Sequence, residues 1–200
     1  KDHSAWHGCV VYPGASSGPD SGDYDTNVIT PSTSITAPLS AAAPSSSCPK
    51  AAMGLSYDWS AMNTLVSNMQ PAGNTNQAIG LQLGWLSLTG GGPFTAPIMD
   101  PNYTYQQVII LLTAGLNTQD RWYTDESKID ARQQKTCDTI KAAGVTLYTI
   151  QVHTGGDPTS TLLQSCASSS DKFFLLTSSD QILTAFNAIG TNLSKLRVVK

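Results

Sequence analysis

Val108-Ile109-Ile110-Leu111-Leu112, running straight into Thr113-Ala114-Gly115-Leu116-Asn117-Thr118, is the stretch on which the fold turns. The aliphatic run carries no polar alternation, so neither of its faces is built for water. Such a run suits a strand buried on both sides of a parallel sheet. The small and polar residues behind it end the strand in a loop. It is also the longest strictly apolar run in the chain, far short of the ~20 residues a membrane-spanning helix needs.

On the N-terminal side, Asp58 is placed to cap a helix carrying Trp59, Met62, Leu65, Val66 and Met69 at helical spacing. Pro71-Ala72-Gly73 breaks that helix. A second helix follows Asn74-Thr75, with Ile79, Leu83 and Leu86 on one stripe and Leu81, Trp85 and Leu88 beside it. Gly90-Gly91-Gly92-Pro93 ends this helix, and a loop runs on to about Gln106. Of the four tryptophans, Trp59, Trp85 and Trp122 read as core or near-core packing.

Downstream, a helix turns Ile129, Thr136, Cys137, Ile140 and Ala143 inward and closes on Gly144 at its C′ position. Val145–Val152 reads as the next strand, Ser160–Cys166 as a short helix and Phe173–Leu176 as a further strand. Ser178-Ser179-Asp180-Gln181 has the form of a capping box before a helix bearing Ile182, Leu183, Phe186, Ile189, Leu193 and Leu196. Strands alternating with helices mean parallel crossovers, hence a three-layer α/β sheet. Ligands of such sheets bind beyond the C-terminal ends of the strands, which directs attention to the loop after Leu112. His153, at the end of the Val145–Val152 strand, shares that rim but has no carboxylate or thiol placed near it by sequence.

Residues 1–50 differ in kind. They hold Pro13, Pro19, Pro31, Pro38, Pro44 and the run Ser45-Ser46-Ser47, with no sustained apolar period. The expected organisation is an irregular disulfide-closed segment over 1–50 and the α/β unit over 51–200.

The 200 residues are 12% charged, with a net charge of −3, about half the roughly 25% charged share of ordinary chains. Uncharged Ser, Thr, Asn and Gln supply the polarity, a balance common outside the cytoplasm. Only 11 Lys+Arg against 14 Asp+Glu leave no basic face for a nucleic acid. Cys9, Cys48, Cys137 and Cys166 form no C-x-x-C pair, which disfavours structural zinc. An even count in such a chain points to two disulfides and an oxidising compartment. Of the three possible connectivities, the local one, Cys9 with Cys48 and Cys137 with Cys166, is the expectation.

Two stretches together resemble a known family. Gly73-Asn74-Thr75-Asn76 opens a helix, and some thirty residues later come the strand and turn VIILLTAGLNT at 108–118. The pairing is similar to the von Willebrand factor A (vWA) domain in bacterial TadG-type proteins of tight-adherence pilus assembly. Further matches are Trp6, Gly8 and Cys9, DYDT at 23–26, LSYDW at 55–59, Gln119-Asp120-Arg121-Trp122, IDARQQ at 129–134, the run 154–168, DKFFLLTS at 171–178 and the closing LSKLR. The resemblance implies a vWA-like α/β fold and a non-catalytic adhesion or assembly role in a bacterial envelope, extracellular or periplasmic. It also implies a metal-ion-dependent adhesion site holding Mg²⁺, with oxygen ligands in octahedral geometry and a protein partner supplying an acidic group.

Carried over by position, Thr75 matches the family's second-loop threonine. The third-loop Asp-Gly reads Ala114-Gly115, so that carboxylate is missing, while Asn117 and Thr118 line the same loop. No Asp-x-Ser-x-Ser loop occurs in the chain. The family's first strand, that loop and a membrane anchor are therefore expected upstream of Lys1. Here the resemblance implies a degenerate site, no metal expected for this chain alone, and an open sheet edge. That edge would be filled by the upstream segment, another copy or a pilus or envelope component.

Other patterns have plainer readings. Gly14-Ala15-Ser16-Ser17-Gly18 matches the G-x-S-x-G elbow but lacks the preceding strand and following helix. His3 and His7 lie four apart next to Asp2 and read as an N-terminal tail. A secreted hydrolase using Ser16, or a His3/His7 metal site, is the alternative function. Thr75 also reads simply as a helix N-cap. Asn102-Tyr103-Thr104 and Asn192-Leu193-Ser194 are glycosylation sequons, of little meaning in a bacterial protein.

Overall fold

A computed structural model describes residues 10–11, 40–41, 49–89, 94–96, 98–120, 123–153 and 155–195. Val10–Val11 (β1) and Ser40–Ala41 (β2) pair antiparallel. The expectations placed on Ser16, His3, His7, Cys9, Cys48 and Trp122 lie outside the described residues.

The main sheet has the order β3-β4-β5, all parallel. These strands are Val108–Thr113, Thr146–Val152 and Phe173–Leu176. Parallel neighbours need crossovers. Glu126–Ala142 (α3) makes the first, and Thr161–Cys166 (α4) with the 3-10 turn Ser170–Lys172 makes the second. Trp59–Ser67 (α1) and Gln77–Thr89 (α2) precede the sheet, and Gln181–Lys195 (α5) follows it.

Successive residues of a strand point to opposite faces, and the two cores divide accordingly. Ile109, Leu111 and Leu147 pack with Leu81 and Trp85 of α2, Cys137 and Ile140 of α3, and Leu162, Leu163 and Cys166 of α4. Tyr148, Ile150, Val152 and Leu176 face Ala185 and Ile189 of α5, with Val108, Ile110 and Phe174 alongside. Helices thus cover both faces, and the architecture is the parallel α/β sheet expected, with β3 at one margin of the sheet among the described residues.

The local signals work as physics requires. Asp58 accepts from the Ala61 amide at 2.8 Å at the start of α1, and Gly144, with φ of +80°, is the left-handed residue that closes α3. A disulfide joins Cys137 to Cys166 and ties α3 to α4.

Several sequence expectations need correction. In α2 the buried stripe is Ala78, Leu81, Gln82, Trp85 and Leu86, not the Ile79/Leu83 stripe. Ala143 is the exposed C-cap of α3 rather than an inward residue. In α5, Leu183 is 70% and Phe186 40% exposed, because Ala185 and Ile189 set the buried line. The expected capping box is replaced by Gln181, whose side chain accepts from the Thr177 amide at 2.7 Å, one residue earlier than the motif requires. Trp59 is 72% exposed and is not core. α1 buries none of its residues.

Candidate functional site

The C-terminal ends of the strands place the loop after β3 against the loop before α2. Thr75 donates its amide to Thr118 Oγ1 at 2.8 Å, and the Thr118 amide returns a bond to the Thr75 carbonyl at 2.9 Å. Gln119 adds a longer bond to the same carbonyl at 3.3 Å, and Asn74 Nδ2 donates to Gln119 Oε1. Residues about forty positions apart in sequence are thus stitched main chain to main chain at the sheet's rim.

Behind this stitch lies a closed set of amide side chains. Asn117 Oδ1 accepts from the Gln77 amide at 2.9 Å, satisfying an orphan donor of the α2 N-terminus. Asn117 Nδ2 donates to Gln133 Oε1 at 2.8 Å and to Asp130 Oδ1 at 2.9 Å, both on α3. Gln133 Nε2 donates to Gln77 Oε1 at 3.2 Å, and Gln77 Nε2 donates to the Gly115 carbonyl at 2.9 Å. Thr113 Oγ1 donates to that same carbonyl at 3.0 Å. Asn117 is 3% exposed and Gln133 fully buried. Buried amides are tolerated because each is paired.

Around this set the rim is acidic. Gly115 approaches Asp157 so closely that a β-carbon there would stand 3.2 Å from Asp157 Oδ2. Desolvation raises the Asp130 carboxyl above its ordinary value, offset by the Asn117 hydrogen bond. Glu126 is also raised, by desolvation and then by the charges of Asp130 and Asp157. Further along the loop, Asp120 Oδ1 accepts from the Tyr123 amide at 2.6 Å. Its Oδ2 lies 3.9 Å from Arg132 Nε of α3.

Of the residues singled out from sequence, Thr75, Gly115, Asn117 and Thr118 come together, with Ala114 in the same loop. His153, beyond β4, donates its amide to the Leu176 carbonyl at 2.6 Å. Sequence reading missed Gln77, Gln133 and Asp130. A signal existed for Gln133: it lies on the same helical stripe as Ile129, Thr136 and Ile140.

The cation implied by the family resemblance finds poor ligands here. A hard divalent ion takes oxygens from carboxylates, carbonyls and hydroxyls. Ala114 offers none, the Gly115 carbonyl already accepts two bonds, and Asn117 Oδ1 is spent on the Gln77 amide. Among the described residues no group of three His, Cys, Asp or Glu is arranged to hold a metal. Asn76 Oδ1 is left at the rim, buried and without a hydrogen-bond partner. A neutral amide oxygen with no carboxylate at 114 beside it is a weak ligand for a hard dication, so the residues present fit the ion poorly.

No protein-family model and no curated protein matches the chain. Among solved structures it is similar to proximal thread matrix protein 1 from the mussel byssus, at 21% identity with a TM-score of 0.44, over 65% of this chain and 28% of that one. A second crystal form of that protein gives 20% and 0.44, over 65% and 27%. A third structure, with a zinc-occupied MIDAS motif, gives 22% and 0.44, over 65% and 28%. The chain therefore spans little more than a quarter of the length of the protein it resembles. The architecture stands on the strand order and crossovers described above.

Proposed function

We propose that this chain is a non-catalytic adhesion or assembly module whose working face is the rim built by residues 74–77 and 113–119. The observation that carries the reading is the reciprocal Thr75–Thr118 pairing, which makes one continuous surface from two loops distant in sequence. Behind it the side chains of Gln77, Asn117 and Gln133 are spent on one another, as suits a scaffold that presents a surface. The Cys137–Cys166 disulfide supports work in an oxidising compartment, extracellular or periplasmic. The sequence resemblance makes the setting a bacterial envelope and its pili, with an adhesion site that has lost its metal chemistry.

The partner in this reading is a protein. Among the described residues β3 pairs with β4 alone, and Val108–Thr113 has no lysine, proline or bulge of the kind that guards natural edges. A further strand, from preceding chain, a second copy or an envelope component, is the natural occupant of its other side.

The test is surface adherence of the source cells after replacing the chromosomal copy with an Asn117→Ala, Thr118→Ala variant. Loss of adherence at unchanged protein level is the expected result. Full adherence from a variant that is produced and exported normally would overturn the reading.

A further inference from the structure

We infer that in this chain a triangle of side-chain amides, Gln77, Asn117 and Gln133, does the mechanical work for which the resemblance implies a cation, so that the rim keeps its shape without any divalent ion. The inference concerns the order of the rim and does not depend on the adhesion reading.

A cation in such a place cross-links loops by drawing oxygens from several elements onto one centre. The amide triangle makes the same three connections: Gln77 at the start of α2, Asn117 in the loop after β3, and Gln133 in α3. A fourth bond, from Gln77 Nε2, holds the Gly115 carbonyl. The polarity is opposite to that of an ion site. Toward the loop carbonyl and the Asp130 carboxylate the triangle presents N–H donors, so the oxygens an ion would recruit already face protons. Asn117 works in one orientation only. Turned over, its NH₂ would face the Gln77 N–H, and its oxygen would face the Asp130 carboxylate and Gln133 Oε1.

Ala114 belongs to the same arrangement. A carboxylate at 114 would join a rim that already gathers Glu126, Asp130 and Asp157, where desolvation and then the charges of Asp130 and Asp157 raise the Glu126 carboxyl. Without an ion to neutralise it, the family's aspartate would be a cost, and alanine removes that cost. The missing ligand and the amide triangle thus form one consistent design.

The experiment has two arms on the whole chain. The first is calorimetric titration with Mg²⁺ and Mn²⁺ and thermal melting with and without chelator. The expected results are no binding heat and a melting temperature that chelator leaves unchanged. Saturable heat, or a chelator-dependent fall in Tm, would overturn the inference. The second arm is Gln133→Leu, which leaves Asn117 Nδ2 short of one acceptor and Gln77 Oε1 without its donor. A fall in Tm of roughly 5 °C is expected from two under-satisfied buried groups in a chain of this size. Melting like the wild type would overturn it. Should Gln133→Leu fail to fold, Asn117→Asp gives a second reading. It keeps the acceptor for the Gln77 amide but sets a second carboxylate against Asp130, so Mg²⁺ should now raise its Tm. No response to Mg²⁺ from a folded Asn117→Asp protein would contradict the ion-for-amide exchange.

Discussion

α1 and α2 lie close together in sequence and were legible by the same rule, apolar residues at helical spacing, yet they meet different fates. α2 buries Leu81 and Trp85 in the core it shares with β3, buries Leu86 as well, and hands its first amide to Asn117. α1 buries nothing and leaves Trp59 and Val66 in solvent, with Met69 just beyond its end exposed as well. Periodicity says that a helix has an apolar face; it does not say whether the fold supplies a surface for that face. What anchors α2 is its position on the sheet and its end in the polar rim. α1 has a good N-cap and neither of those anchors.

The predictions probe that contrast between anchored and unanchored parts. The largest effect belongs to the interior. Leu163→Ala, at a fully buried site between α4 and the sheet, should cost about 3–5 kcal/mol in denaturant unfolding. A loss below about 1 kcal/mol would mean the packing is looser than described. Next comes the Cys137→Ala, Cys166→Ala pair, which opens a link across 29 residues and should cost about 3 kcal/mol in the same assay.

A smaller effect is expected at the rim. Folding raises the carboxyl of Asp130, so the folded state binds that proton more readily than the unfolded one. Its contribution to stability is therefore present below the ordinary carboxylate value. It is lost as pH rises through the raised folded value, and it stays lost at neutrality. Asp130→Asn should remove that dependence and flatten the stability–pH curve on the acid side; an unchanged curve would place the penalty elsewhere. The smallest effect is at α1, where Trp59→Ser should alter stability by no more than about 0.5 kcal/mol. A loss of several times that would show that α1 has a packing partner after all.

Sequence carried the architecture further than the rim. The aliphatic run Val108–Leu112 and the four residues Phe173–Leu176 announced their strands almost to the residue, but not their burial: β3 buries only alternate residues and leaves Leu112 exposed, and β5 buries only Leu176. Ser160 announced α4, where its hydroxyl accepts from the Leu163 amide. The phase of α2 was harder to read. Gln82 is buried and Ile79 only half-buried, so polarity alone assigns the wrong stripe. The amide triangle left no contiguous motif: Gln77 and Gln133 are 56 residues apart, and only the place of Gln133 on the Ile129/Thr136/Ile140 stripe marked one of them as inward. Thr75 and Thr118 entered by family resemblance, and the structure joins them through one bond to the Thr118 hydroxyl and one between backbones.

The most direct measurement is amide hydrogen exchange of the whole chain in chelator, residue by residue. The Gln77 and Thr118 amides should be protected nearly as long as those of β4, while α1 exchanges orders of magnitude faster. Rapid exchange at Gln77 and Thr118 that slows only when Mg²⁺ is added would contradict the claim that side-chain amides hold this rim together.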